Sequence, residues 1–134
     1  MTSLPNLPHI LNRRESKFSL RFRAWWQENP LLGTFELKDA SVNGFLPFDA
    51  VEHDQIAFAL SAHAPKGILA RVTVGTKGTA DYIGLRNFPA WIVVNYKKAF
   101  HIISINSFLL ESRRSKRRSL TEDRAAAIAT ISVQ

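Results

Sequence analysis

The stretch Phe35-Glu36-Leu37-Lys38-Asp39-Ala40 combines an apolar alternation with two opposite charges, Glu36 and Lys38, and a third at Asp39. Together with the residues before it, it predicts a β-strand over Leu32 to Leu37. Successive side chains on a strand point to opposite faces, so Phe35 and Leu37 share one face while Glu36 and Lys38 share the other. The apolar face asks for a core. The charged face brings a carboxylate and an ammonium to one place, with the backbone carbonyl of Leu37 between them. Such a pair is the set of groups that phosphodiester hydrolysis needs: a hard oxygen ligand for a cation and a fixed positive charge for the phosphate. It is also a common surface salt pair, and the triplet alone leaves both readings open.

Upstream, Phe18, Phe22, Trp25 and Trp26 recur at helical spacing and predict a helix from Arg14 to Gln27, stopped by Pro30. About 100 degrees separate adjacent helical residues, so Trp25 and Trp26 do not both point straight into one core. One of them at an interface, or both around the core's edge, are the two readings. Downstream, Asn43-Gly44 marks a turn, and Phe45-Leu46 a short strand. Pro47 then stands near the start of a second helix, over Phe48 to His63, ended by Pro65 and Gly67. Strands are expected over Ile68 to Val74 and Thr79 to Leu85, and then over Trp91 to Tyr96 and Phe100 to Ile105, the last two joined at Lys97-Lys98. Asn106 or Ser107 is expected to cap a short helix through Leu110. Ser119-Leu120-Thr121-Glu122 matches a capping box opening an alanine-rich last helix, so that residues 111–134 read as a basic segment followed by helix. Helices interspersed with several strands imply an α/β or α+β domain with one mixed central sheet flanked by helices.

The 134 residues suit a single domain burying about two thirds of the surface that its unfolded form exposes. No apolar run approaches the roughly 20 residues of a membrane span, and the first dozen residues have no signal-peptide pattern. No membrane partner is expected. The absence of cysteine excludes disulfides and thiolate metal sites and fits a reducing, cytoplasmic setting. Eighteen Lys and Arg against eleven Asp and Glu give a net charge of +7, which makes a polyanion the natural partner. The cations concentrate at Arg13, Arg14, Lys17, Arg21 and Arg23, and again at Arg113, Arg114, Lys116, Arg117 and Arg118; a solubilising surface is the alternative reading. Gly75-Thr76-Lys77-Gly78 lacks the spacing of a nucleotide-binding loop, so no nucleotide cofactor is expected; Lys77 reads as a backbone contact to DNA or part of a flexible turn. No serine stands in a recognisable nucleophile motif.

Phe35-Glu36-Leu37-Lys38-Asp39-Ala40, followed by Phe45-Leu46-Pro47-Phe48, His53-Asp54-Gln55 and Gly67-Ile68, resembles the PD-(D/E)XK nuclease superfamily. Within it, the order resembles the RecU-type Holliday-junction resolvases, with an outline similar to archaeal Hjc-type resolvases, over about Phe35 to Phe108. The resemblance implies a restriction-endonuclease-like fold and a magnesium (or manganese) ion held by Glu36 and the Leu37 carbonyl. It implies Lys38 as the catalytic cation and Gln55 as a helix residue turned to the site. It also implies branched DNA as substrate and a homodimer, since two nicks in a symmetric junction call for two sites related by a two-fold axis.

One ligand of that pattern is missing. Those nucleases carry an aspartate about a dozen residues before the Glu-x-Lys, where this chain has helix and Arg23. Thr79-Ala80-Asp81-Tyr82 resembles the segment around that aspartate, which makes Asp81, on a strand beside Glu36, the expected second ligand; the alternative is a turn residue after Gly78. Glu28 and Asp39 are reserves. Glu15 matches in position a helix glutamate of the archaeal-type site, and equally an ordinary first-turn glutamate favoured by the helix dipole. His53 reads more readily as a surface or packing residue than as a general base. The expected activity is hydrolysis of paired strands at a four-way junction in a bacterial cell or phage-infected host. Other DNA substrates, or a nuclease-like DNA-binding protein without catalysis, are the alternatives.

Overall fold

The structure, a computed structural model, describes residues 9–10, 16–52, 55–56, 69–73, 79–83 and 89–134, with 9–10, 69–73 and 79–83 described by their backbone. Its first helix, α1, spans Lys17–Glu28. Ser16 opens it: the Ser16 hydroxyl accepts from the Ser19 N–H at 3.0 Å and the Ser19 hydroxyl from the Ser16 N–H at 2.9 Å, a reciprocal capping box. The helix therefore starts three residues later than Arg14. Asn29 closes it, its N–H bonding to the Trp25 and Trp26 carbonyls before Pro30 forbids a further turn. Phe18, Phe22 and Trp26, four residues apart, form its buried stripe.

The strands are β1 (His9–Ile10), β2 (Thr34–Asp39), β3 (Phe45–Pro47), β4 (Leu69–Thr73), β5 (Thr79–Ile83), β6 (Ala90–Asn95), β7 (Phe100–Ser104), β8 (Ser119–Thr121) and β9 (Ile131–Val133). Five of them make a mixed sheet in the order β1-β2-β6-β7-β9. β2 runs parallel to both β1 and β6, while β7 is antiparallel to β6 and β9. The fold is α+β, as the order of elements implied. β6 and β7 read as nearly continuous apolar runs because both faces of the sheet are covered.

On one face Phe35, Leu37, Val93, Phe100 and Ile102 pack against α1 through Phe18, Phe22 and Trp26. Phe22 is fully buried, its ring 5.0 Å from Phe35 and 5.9 Å from Phe100. Trp25 also reaches this cluster, edge-on to Phe100, so both tryptophans lie around one core. On the other face Ile92, Val94 and Ile103 meet Ile56, Phe108, Leu109, Leu120 and Ala125. Gly33 leads the chain into β2 with φ +148; a side chain there would collide with the Trp91 indole and come within 2.8 Å of the Pro89 carbonyl.

Several boundaries differ from the sequence expectation. The second helix does not begin at Phe48: Phe48–Ala50 is a single 3-10 turn, Val51 is extended, and helix is present at 55–56. Its expected remainder, with His53 and Asp54, lies outside the described residues. The short helix near Asn106 is longer: α2 spans Ile105–Arg114, with Ser104, not Asn106 or Ser107, as its cap, and it takes Arg113 and Arg114 into its last turn. Residues 111–134 are not one basic segment and helix. They comprise the end of α2, β8, α3 (Glu122–Ile128) and β9, and the cap of α3 is Thr121 because Ser119 is paired in β8 with Pro47.

A bidentate pair ties α2 to α3: Arg124 Nε and Nη2 donate to Glu111 Oε2 and Oε1 at 2.8 and 2.9 Å. These hydrogen bonds hold the Glu111 carboxyl below its ordinary value of 4.5 against the opposing effect of burial, with the Arg124 and Arg114 charges adding to them. A depressed carboxylate contributes stability above its unfolded pKa and loses it as pH falls through the folded one. Glu111→Gln is therefore expected to lower the thermal midpoint at neutral pH, and its deficit to shrink as the pH is taken well below 4.5. A deficit of equal size at neutral and at low pH would show that the pair's charge contributes nothing.

Candidate active site

Glu36 and Lys38 project from β2 to the face opposite α1, because Phe35 and Leu37 are drawn into the α1 core. Their cross-strand partners on β6 are Ile92 and Val94, both fully buried. Glu36 is only 1% exposed, and Lys38 Nζ stands 3.7 Å from its Oε2, itself 19% exposed at the rim. Gln55 completes the cluster, with Nε2 donating to Glu36 Oε2 at 3.3 Å. The three residues expected from the sequence to act together do meet.

The orientation of Gln55 follows from its own turn. Its Oε1 accepts from the Glu52 N–H at 2.9 Å, three residues back, in the manner of a capping box. With the carbonyl oxygen so engaged, the amide nitrogen faces Glu36. Gln55 thus donates to the carboxylate and holds it in place. A carboxylate that is 1% exposed is costly to fold even with a partner, and a purely structural role is served more cheaply by an apolar residue of the same volume.

The other expected ligands separate. Asp39, the next odd residue along β2, faces α1: its Oδ1 accepts from Asn95 Nδ2 at 3.1 Å and from the Ser41 N–H at 3.0 Å. Burial raises its pKa, but the hydrogen bonds from Ser41 and Asn95 and the charge of Arg21 outweigh this and hold it below its ordinary 3.8. It is not a co-ligand of Glu36. Glu28 is exposed at the end of α1, on that same layer. The strand carrying Asp81 is not beside Glu36 in the sheet: β5 pairs with β4 in a separate two-stranded hairpin, with Asp81 opposite Arg71, whereas β2 is flanked by β1 and β6. The hairpin satisfies its hydrogen bonds locally, so the β-rich sequence there builds its own ribbon. The Asp81 side chain, with Glu15, Arg13, Arg14 and Lys77, lies outside the described residues.

Among the described residues no group of three or more His, Cys, Asp or Glu gathers as a metal cluster. The donors at the site are of the type that suits magnesium, a hard cation that keeps several waters and takes one or two carboxylates. Glu36 and the carbonyl of Leu37 are the residues that would hold it.

The basic run lies on the same face of the sheet as Glu36. Arg113, Arg114, Lys116, Arg117 and Arg118 are all exposed, and the loop after α2 is fastened to the segment leading to Gln55 through the Phe48 N–H, which donates to the Arg118 carbonyl at 3.0 Å, and through the β3–β8 pairing. Lys17 and Arg21 are exposed on α1, on the opposite layer.

Two polar groupings have no signal in the sequence. Asn95 is 6% exposed and links Arg21 to Asp39, accepting from Arg21 Nη2 at 2.7 Å while donating to Asp39. His101 is 3% exposed, with Nδ1 2.7 Å from the Ser132 hydroxyl and Nε2 3.3 Å from Glu122 Oε2. It ties β9 and the start of α3 to β7. Both groupings join residues far apart in the chain, and periodicity within a segment does not report such pairings. No described helix is long and apolar enough to cross a membrane. Comparison with known proteins adds no relative: no family model, no curated protein and no solved structure matches this chain.

Proposed function

We propose that this chain is a divalent-metal-dependent DNA endonuclease that cuts branched DNA, with four-way junctions as its substrate. The observation that carries this reading is the convergence of buried Glu36, Lys38 and Gln55 on one face of the sheet, 3.7 and 3.3 Å from a common carboxylate oxygen. Glu36 supplies negative charge for a cation, Gln55 fixes its position, and Lys38 sets a positive charge at the solvent-facing rim, where a phosphate would lose its water. A magnesium ion bound there would supply Lewis-acid stabilisation of the phosphate and a more acidic attacking water. The exposed cations from Arg113 to Arg118, on the same face, hold the DNA backbone without reading its sequence. A homodimer would present two such sites to the two strands of a junction, in the cytoplasm of a bacterial cell or a phage-infected host.

A synthetic four-way junction with magnesium is the test, against a linear duplex of the same sequence. Paired nicks in the junction, lost on chelation, are expected. Equal cutting of both substrates would replace the junction by DNA in general. A second reading, a nuclease-like DNA-binding protein without catalysis, is favoured by the lack of any group of three or more His, Cys, Asp or Glu among the described residues. It predicts junction binding with no cleavage under any divalent metal.

A further inference from the structure

At the carboxyl end of the parallel pair β2 and β6, a cleft of about 640 Å³ opens on the α1 face, lined among others by Lys17, Arg21, Lys97, Asp39 and Asn95. Arg21 is held in a fixed pose. One guanidinium nitrogen donates to Asn95 Oδ1 at 2.7 Å, and the plane lies 5.2 Å from the Phe100 ring centroid and 5.9 Å from that of Phe18. Asn95 is itself held, because its amide nitrogen is spent on Asp39. A guanidinium carries five N–H donors, and among the described residues this one uses a single hydrogen bond. Its remaining donors stand beside two exposed ammonium groups. Asp39 is the cleft's one carboxylate, and its charge is partly offset by its hydrogen bonds from Asn95 and Ser41. Three cations against one anion leave the cleft suited to a phosphate diester, and planar, preorganised Arg is the group that recognises it best.

Position gives the cleft its meaning. Lys38 and Asp39 are consecutive, and strand alternation sends Lys38 to the Glu36 face and Asp39 to the α1 face. The Glu36 site and the Arg21 cleft therefore straddle the same end of the sheet. We propose that Arg21, with Lys17 and Lys97, binds a backbone phosphate some nucleotides along the same DNA strand from the one at Glu36, so that the strand crosses the carboxyl end of β2 and β6. Asn95 is a positioning residue that aims Arg21. This rests on the nuclease reading and assigns the path of its substrate.

The test uses the Glu36→Gln protein, expected to bind without cutting, and a labelled four-way junction titrated at several salt concentrations. Arg21→Ala is expected to weaken binding roughly tenfold and to lower the slope of log affinity against log salt by about 0.9, one phosphate contact. Lys97→Ala, in an exposed turn, should act in the same direction, and Arg21→Lys should restore the salt slope but not the affinity. Lys98→Ala, adjacent but outside the cleft, should change affinity less than twofold, as expected of an exposed charge. Equal effects of Lys98→Ala and Arg21→Ala would overturn the cleft in favour of general surface charge. Inorganic phosphate at matched ionic strength should not displace the junction; displacement accompanied by loss of the Arg21 effect would assign the cleft to a free phosphate instead. Junction binding that is indifferent to Arg21 ends this inference alone, whereas no DNA binding by the Glu36→Gln protein ends the nuclease reading itself.

Discussion

Glu36→Gln is expected to lower junction cleavage by about a hundred- to a thousandfold while leaving junction binding intact. The Glu36 carboxylate is the group on which Lys38 and Gln55 converge, and its amide isostere keeps shape without charge. The same substitution should leave the thermal midpoint unchanged or raise it, because it removes a charge that is 1% exposed. Lys38→Met should likewise reduce cleavage, but it removes a charge that faces the buried carboxylate at 3.7 Å and is expected to cost stability. That opposition separates a functional cluster from a structural one: if Glu36→Gln destabilised the protein as much as Lys38→Met, the pair would be a structural salt bridge. Gln55→Ala should lower cleavage less than Glu36→Gln, by about ten- to a hundredfold, the usual cost of losing a residue that orients a ligand.

Phe22→Ala is expected to have the largest effect on stability, about 3–5 kcal/mol, from lost burial plus a cavity that aromatic neighbours do not fill. Phe22 is fully buried where α1 meets the sheet, with Phe35, Trp25 and Phe100 around its ring. In a domain of this size the thermal midpoint should drop by roughly 10 °C or more. Leu20→Ala, on the same helix but 55% exposed, should fall within about 0.5 kcal/mol of the parent protein. Equal losses at the two positions would mean that α1 is not docked through this stripe.

Much of the local structure was legible because it depends on neighbours in sequence. The stripe Phe18, Phe22 and Trp26, the turn at Asn43-Gly44, where Gly44 has φ +79, and the β6–β7 hairpin are all set by short-range periodicity or by a glycine. Ends were read less well. Ser16, Ser104 and Thr121 cap helices that other residues were expected to open, because several serines and threonines near each helix start are chemically equal until the chain's path selects one. The second helix was misplaced for a related reason: Pro47 and Phe48 do not open it, since β3 is recruited by β8, more than 70 residues away in the chain.

The candidate site divides in the same way. Alternation along β2 was enough to place Glu36 and Lys38 on one face opposite Phe35 and Leu37, because a pleated strand has period two wherever it lies, whereas Asp39, held in reserve as a ligand, was removed from that face only by the structure, which extends β2 through it. That the β5 strand bearing Asp81 pairs with β4 instead of β2, and that Asn95 aims Arg21 into a cleft, were decided by tertiary structure alone, and the reach of Gln55 to Glu36, implied by the resemblance, has no record in local spacing. Which strand lies beside which is a contest among long-range pairings, settled by burial of whole faces and satisfaction of whole edges, and no local spacing in the chain records its outcome.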